Sequence, residues 1–236
     1  QARARALMDP AADALRRLQD LDERAGNAEE RLAGFYGSAL ASIQLRDFAR
    51  AERALASAQA LPGVRDDRFT QAALAPLRAQ LALARSDWPA ATAAVAAMGG
   101  AAAEARSRPA LLLRAQVAQA SGDLVAIRHN TEALQIWVSD NRLDAMAWQA
   151  LSHGAEALGQ PLRALRAAAE AQAAIGNLQG AMDRLRAGQQ LARRGTLGND
   201  FIEASVIDSR LRDLQAQRRE LMAGQRGSGR GNGPDE

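Results

Sequence analysis

Residues 148–172 read WQALSHGAEALGQPLRALRAAAEAQ. Trp148, Leu151, Ser152 and Ala155 recur at helical spacing, Gly159 breaks the pattern, and Ala164, Ala168 and Ala171 resume it on a second helix. Two helices packed at close range need small side chains where their backbones approach. The spacing therefore predicts a helical hairpin with Ser152 facing Ala164.

This pattern resembles the tetratricopeptide repeat, in which a large residue, a Leu and a small residue mark the first helix and small residues line the second. Weaker copies occur elsewhere. FYGSALASIQLRDFARAERALASA places Ala39 and Ala51 at the two small positions, with Arg46 and Asp47 in the turn. LAPLRAQLALARSDWPAATAAVAAM places Ala79 and Ala91 there and turns at Ser86 and Asp87. LLLRAQVAQASGDLVAIRHNTEAL has Ala115 and Gly122, but Ile127 stands where a small residue belongs, which predicts looser packing. Turn positions 46, 86, 122 and 159 lie at intervals of 40, 36 and 37 residues, against about 34 in an ideal copy. A further copy is offset by 17 residues, with Ala181 of GNLQGAMDRLRAGQQLA answering Ala164. Helix 161–174 then closes one unit and opens the next, as in an unbroken solenoid.

Periodicity predicts helices over 11–25, 28–45, 47–60, 66–84, 87–98, 106–120, 123–138, 142–158, 161–174, 178–193 and 200–222. The expected fold class is all-α, a tetratricopeptide-like solenoid of helical hairpins. Its expected parts are an N-terminal helix in 1–27 leading to an absent catalytic domain, a degenerate solenoid over 28–198, a capping helix over 199–222 and a disordered tail over 223–236.

Composition agrees with thin stacked layers. Of 236 residues, 47% are hydrophobic but only 3% aromatic, and most of the apolar count is Ala, which favours helix and close approach but buries little area. No run approaches the roughly 20 apolar residues of a membrane span. The chain opens on QARARAL, without Met and already helical in pattern, which predicts a piece of a longer protein. There is no Cys, so disulfides and thiolate metal sites are excluded. The pI of about 10.6 overstates the basic character. Net charge is only +3, from 30 basic and 27 acidic residues interleaved along the helices, and every basic residue is Arg. A broad phosphate-binding surface, and hence a nucleic-acid partner, is not expected. The tail segment RGSGRG lacks aromatics and reads as a solvated terminus.

The last helix, in NDFIEASVIDSRLRDLQAQRRE, residues 199–220, is well specified. Asp200 and Glu203 have capping-box spacing. Ala204, Ile207, Leu211, Leu214 and Leu221 share one face, and Asp208 and Arg212 have ion-pair spacing on the other. A one-sided helix is expected to close the open end of the stack behind a polar outer face.

EASVIDSRLRDLQ, preceded by GNLQGAMDRLRAGQQLARRG, resembles the C-terminal end of bacterial zinc metalloproteases of the HtpX/BepA type, the β-barrel assembly-enhancing protease family. QARARAL resembles the helix just after that family's protease domain, and FYGSALASIQLRDFARAERAL resembles its first repeat. The resemblance implies a periplasmic location and a role in quality control of outer-membrane β-barrel proteins. It implies as partners the protein's own catalytic domain, unfolded β-barrel precursors and the outer-membrane assembly machinery. No cofactor is expected in this chain; zinc is expected in the absent catalytic domain, since the family's HExxH motif is not in this sequence.

The two histidines do not replace that motif. His129 precedes Glu132 and His153 precedes Glu156, each three apart, but neither HNTEA nor HGAEA supplies the second His that helix-borne zinc hydrolysis needs. No catalytic or metal-binding residue is assigned, and the chain is not expected to be an enzyme by itself. Repeat geometry places Tyr36, Leu40, Gln80, Leu112, Gln116, Gln149, His153 and Glu156 on the concave face, polar groups beside isolated apolar ones, which suits extended polypeptide. Trp88, Trp137 and Trp148 are expected to anchor helix packing. The expected function is a non-catalytic protein-interaction module of such a protease. The competing readings are a stand-alone scaffold or regulator with no protease partner and, with no motif to support it, an enzyme.

Overall fold

The computed structural model describes residue 13 and residues 27–64, 67–98, 107–194 and 200–228, with side chains as far as 223. Among these residues there are ten α-helices and no strand: α1 (Ala28–Gln44), α2 (Phe48–Ala60), α3 (Arg68–Ala84), α4 (Trp88–Ala97), α5 (Arg108–Ser121), α6 (Leu124–Asp140), α7 (Ala145–Ala157), α8 (Pro161–Ala174), α9 (Leu178–Arg193) and α10 (Phe201–Ser228). The helix expected over 11–25 lies, apart from residue 13, outside the described residues. The chain divides into two compact units, Gln1–Gly122 and Asp123–Glu236. This boundary falls inside the solenoid expected over 28–198 and separates the two helices of the hairpin expected around Gly122.

One turn design recurs. At Arg46, Ser86, Gly159 and Gly176 the backbone is left-handed, with φ of 59°, 59°, 69° and 81°. Each of these N–H groups bonds a carbonyl three residues back, and the following N–H reaches five residues back, as in Asp47 to Ser42 and Asp87 to Ala82, both 2.9 Å. These are Schellman closures, which satisfy carbonyls that a helix end leaves open. The residue after the closure then begins the next helix. The Asp47, Asp87 and Asn177 side chains accept the N–H of Arg50, Ala90 and Gly180 at 3.1, 3.1 and 3.0 Å. Sharing one residue between the two ends is what keeps the connectors short.

In the first unit α1 packs on α2, α3 on α4, and α5 on α4 and α3. Helix α3 serves two layers. Leu74, Leu77 and Leu81 join Leu40, Leu55 and Val64 in one cluster, while Ala75, Ala79 and Ala82 join Ala91, Val95 and Leu113 in another. The small positions Ala39, Ala51, Ala79 and Ala91 are fully buried, as the repeat spacing predicts. Ser42 is buried beside them, and its hydroxyl has no hydrogen-bond partner.

In the second unit α7 packs on α6 and α8, and α9 on α8 and α10, so each inner helix has neighbours on both sides. Close approach is visible in the atoms. The Ser152 hydroxyl donates to the Ala164 carbonyl at 2.9 Å, the facing predicted from residues 148–172. A Cβ on Gly154 would lie 2.3 Å from Thr131 Oγ1, and one on Gly188 would lie 2.9 Å from Ile207 Cδ1. Trp137 and Trp148 pin the α6–α7 connection, donating through Nε1 to the Asp144 carboxylate at 3.0 Å and the Arg142 carbonyl at 2.9 Å. Ile127 is buried.

The closing helix departs from its sequence reading in several ways. Ile207, Leu211 and Leu214 are buried against α8 and α9, but Leu221 is 53% exposed, because it lies beyond the end of that contact. Glu203 does not close a capping box; its carboxylate takes two bonds from Arg166 of α8, at 2.7 and 3.2 Å. Asp208 accepts from Gln189 instead of pairing with Arg212, whose Nε donates to the Asp208 carbonyl. In both cases a neighbouring helix offers a donor that the linear spacing does not reveal. The outer face is not uniformly polar, since Phe201 and Ile202 are exposed. Helix continues to Ser228, so the first residues of the expected tail are helical, and residues 229–236 lie outside the described set.

Candidate functional site

On α7, burial of Ala147, Trp148, Leu151, Ser152, Gly154 and Ala155 leaves Gln149, His153 and Glu156 on the remaining strip, spaced four and three apart. Gln149 Nε2 donates to His153 Nε2 at 2.8 Å. Glu156 is exposed one turn further on. The strip offers a carboxylate, an imidazole and an amide along one side of a helix, groups suited to the peptide bonds and polar side chains of an extended chain.

The five candidates of the first unit are placed differently. Gln116 is exposed, and Gln80 and Leu112 are half-buried. Tyr36 packs against the α1–α3 core. Leu40 is only 6% exposed and is a core residue, which corrects its placement on a binding surface. Helix α1 packs on α3 as well as α2, so its buried strip is wider than a single hairpin requires. Of the eight residues, Gln149 and His153 are brought into hydrogen-bond contact.

His129 and Glu132 are both exposed on α6. Among the described residues no group of three His, Asp or Glu side chains is placed to hold a metal ion, and no helix is long and apolar enough to cross a membrane.

Two depressions in the second unit escape the sequence pattern. One, of about 530 Å³, lies between the α6–α7 connection, the end of α8 and the middle of α10, and is lined by Arg142, Leu143, Trp148, Leu178, Glu170 and Arg210. Arg210 donates to Glu170 through Nε and Nη2, at 2.7 and 2.8 Å. These bonds raise the Arg210 pKa above its ordinary value against the opposing effect of burial. With Arg166–Glu203 they form two forked clamps holding α10 to α8. Leu143, 82% exposed, stands at the edge of this groove. The clamp partners are 37 and 40 residues apart in sequence, and no local motif marks them. The second depression, of about 410 Å³, lies between α9 and the distal part of α10.

No family model matches this chain, and no curated protein sequence matches it.

Proposed function

We propose that this chain is a tetratricopeptide-type module that binds extended or partly unfolded polypeptide. The observation that carries the reading is the α7 strip: a hairpin with its inner faces packed through small residues leaves Gln149, His153 and Glu156 aligned outward. A short Ser152-to-Ala164 approach keeps that hairpin rigid, so the strip is presented without a large ordering cost on binding.

Following the sequence resemblance, the module belongs to a periplasmic zinc metalloprotease and recruits unfolded outer-membrane β-barrel precursors and assembly machinery to a catalytic domain outside this sequence. The metal and the hydrolytic residues then belong to that domain, and the contribution of this chain is capture. The repeat spacing and the C-terminal EASVIDSRLRDLQ stretch support this reading.

Two experiments test it. Glu156→Arg combined with His153→Ala is expected to weaken capture of an unfolded β-barrel precursor in a pull-down by at least about fivefold, the scale of losing one or two hydrogen-bonding side chains. Unchanged capture removes the strip from the binding surface. Reading the gene upstream of Gln1 tests the protease assignment: an HExxH on a helical segment supports it, and an initiation codon immediately before Gln1 refutes it in favour of a stand-alone scaffold.

A further inference from the structure

We propose that the cleft between α9 and the distal part of α10 binds an acidic polypeptide segment that also carries apolar side chains. Its lining includes Arg186, Arg218 and Arg219 together with Met182, Gln215 and Met222, and its volume of about 410 Å³ falls in the range of small-ligand sites, about 300–1,000 Å³. The charges are placed but incompletely neutralised. Arg186 is paired with Asp183 at 2.7 Å. Arg218 donates through Nη1 to the neutral Gln179 amide oxygen at 2.8 Å, which fixes the guanidinium in position and leaves its charge intact. Among the described residues neither Arg218 nor Arg219 makes an ion pair. Three guanidiniums therefore line the cleft, and one of them, Arg186, is paired with a carboxylate.

Guanidinium forks match carboxylates in shape as well as charge. Met222 is 49% exposed, so the cleft presents a surface thioether, a side chain that adapts to varied apolar partners, over a floor that includes the core residue Met182. No aromatic ring is among the lining residues, whereas single-stranded nucleic acid is held largely by stacking on such rings. Positive charge with a methionine surface and no stacking platform favours an acidic, partly apolar peptide. The site is separate in residues from the α7 strip and does not rest on it.

The test is fluorescence anisotropy on the full chain with three labelled probes: a short peptide alternating Glu with Leu, its counterpart with Lys for Glu, and an oligothymidylate. The acidic peptide is expected to bind saturably and the basic one not to bind. Arg218→Glu with Arg219→Glu is expected to weaken binding at least about tenfold, and added sodium chloride to weaken it in the unsubstituted chain. Both side chains are exposed, so helicity by circular dichroism should be retained. Arg218→Gln with Arg219→Gln, which removes charge without adding repulsion, should weaken binding to a lesser degree and decides the matter if the reversed variant misfolds. Absence of saturable binding, equal affinity in the substituted chains, or tighter binding of the oligothymidylate would each overturn the proposal.

Discussion

Gly154 is where the α6–α7 packing can be tested most sharply. Its missing Cβ would lie 2.3 Å from Thr131 Oγ1 and 3.4 Å from Thr131 Cβ. Thr131 has little freedom to yield, being 2% exposed with its hydroxyl bonded to the Ile127 carbonyl at 2.7 Å. Gly154→Ala therefore sets two effects against each other. Overpacking costs about 1–3 kcal/mol, and replacing a mid-helix glycine by alanine contributes about 1 kcal/mol in the other direction. Contact with Thr131 should win, giving a net loss of up to about 2 kcal/mol, or a fall of several degrees in Tm at about 2–4 °C per kcal/mol. In a Thr131→Ala background the clashing Oγ1 is gone, the remaining Cβ at 3.4 Å is in ordinary contact, and the helix-propensity term dominates. The same Gly154→Ala change should there stabilise by up to about 1 kcal/mol. The assay is a double-mutant cycle by urea and thermal denaturation, read as the coupling between the two sites. An effect of the same sign and size in both backgrounds would refute the packing argument.

The left-handed turns predict opposite signs for paired substitutions: Arg46→Gly and Ser86→Gly should each stabilise by up to about 1 kcal/mol, because a side chain at positive φ costs about 1–2 kcal/mol and glycine's extra chain entropy returns part of it. Gly159→Ala should destabilise by about 1 kcal/mol although nothing lies within 4 Å of the added carbon, and chemical denaturation reads all three. Ser42→Ala should stabilise by about 1 kcal/mol in the same assay, since it removes a buried hydroxyl without a partner. Asp67 caps α3, and its carboxyl is held below the usual range first by the Thr70 hydroxyl and then by the Phe69 and Thr70 N–H groups. Its contribution is fully present above the unfolded carboxylate value and is lost as pH falls through the lower folded value. Asp67→Asn should flatten that acid-side loss in a pH series of denaturation curves.

Much of the fold was legible because helix periodicity and turn chemistry are local. Apolar spacing places the α1 to α9 boundaries within a few residues, and the four predicted turn positions all have left-handed backbone. Arg46 and Ser86 were legible as turns only through repeat position, since neither residue prefers that conformation on its own. The α7 strip follows from the same periodicity. Leu40 shows where this stops: its spacing fits a surface position, but a second neighbour to α1 covers it.

What the sequence alone determined about this protein is an all-α chain of helical hairpins with small residues at the hairpin contacts, because those features depend on spacing over a few turns. Only the tertiary structure decided that the chain divides at Gly122, that Glu203 and Arg210 clamp α10 to α8, and that Arg186, Arg218 and Arg219 share a cleft. Those outcomes join side chains from helices distant in sequence. Charge spacing along one helix cannot tell whether a carboxylate will meet its own turn or a guanidinium on another helix, because the nearer partner is set by packing.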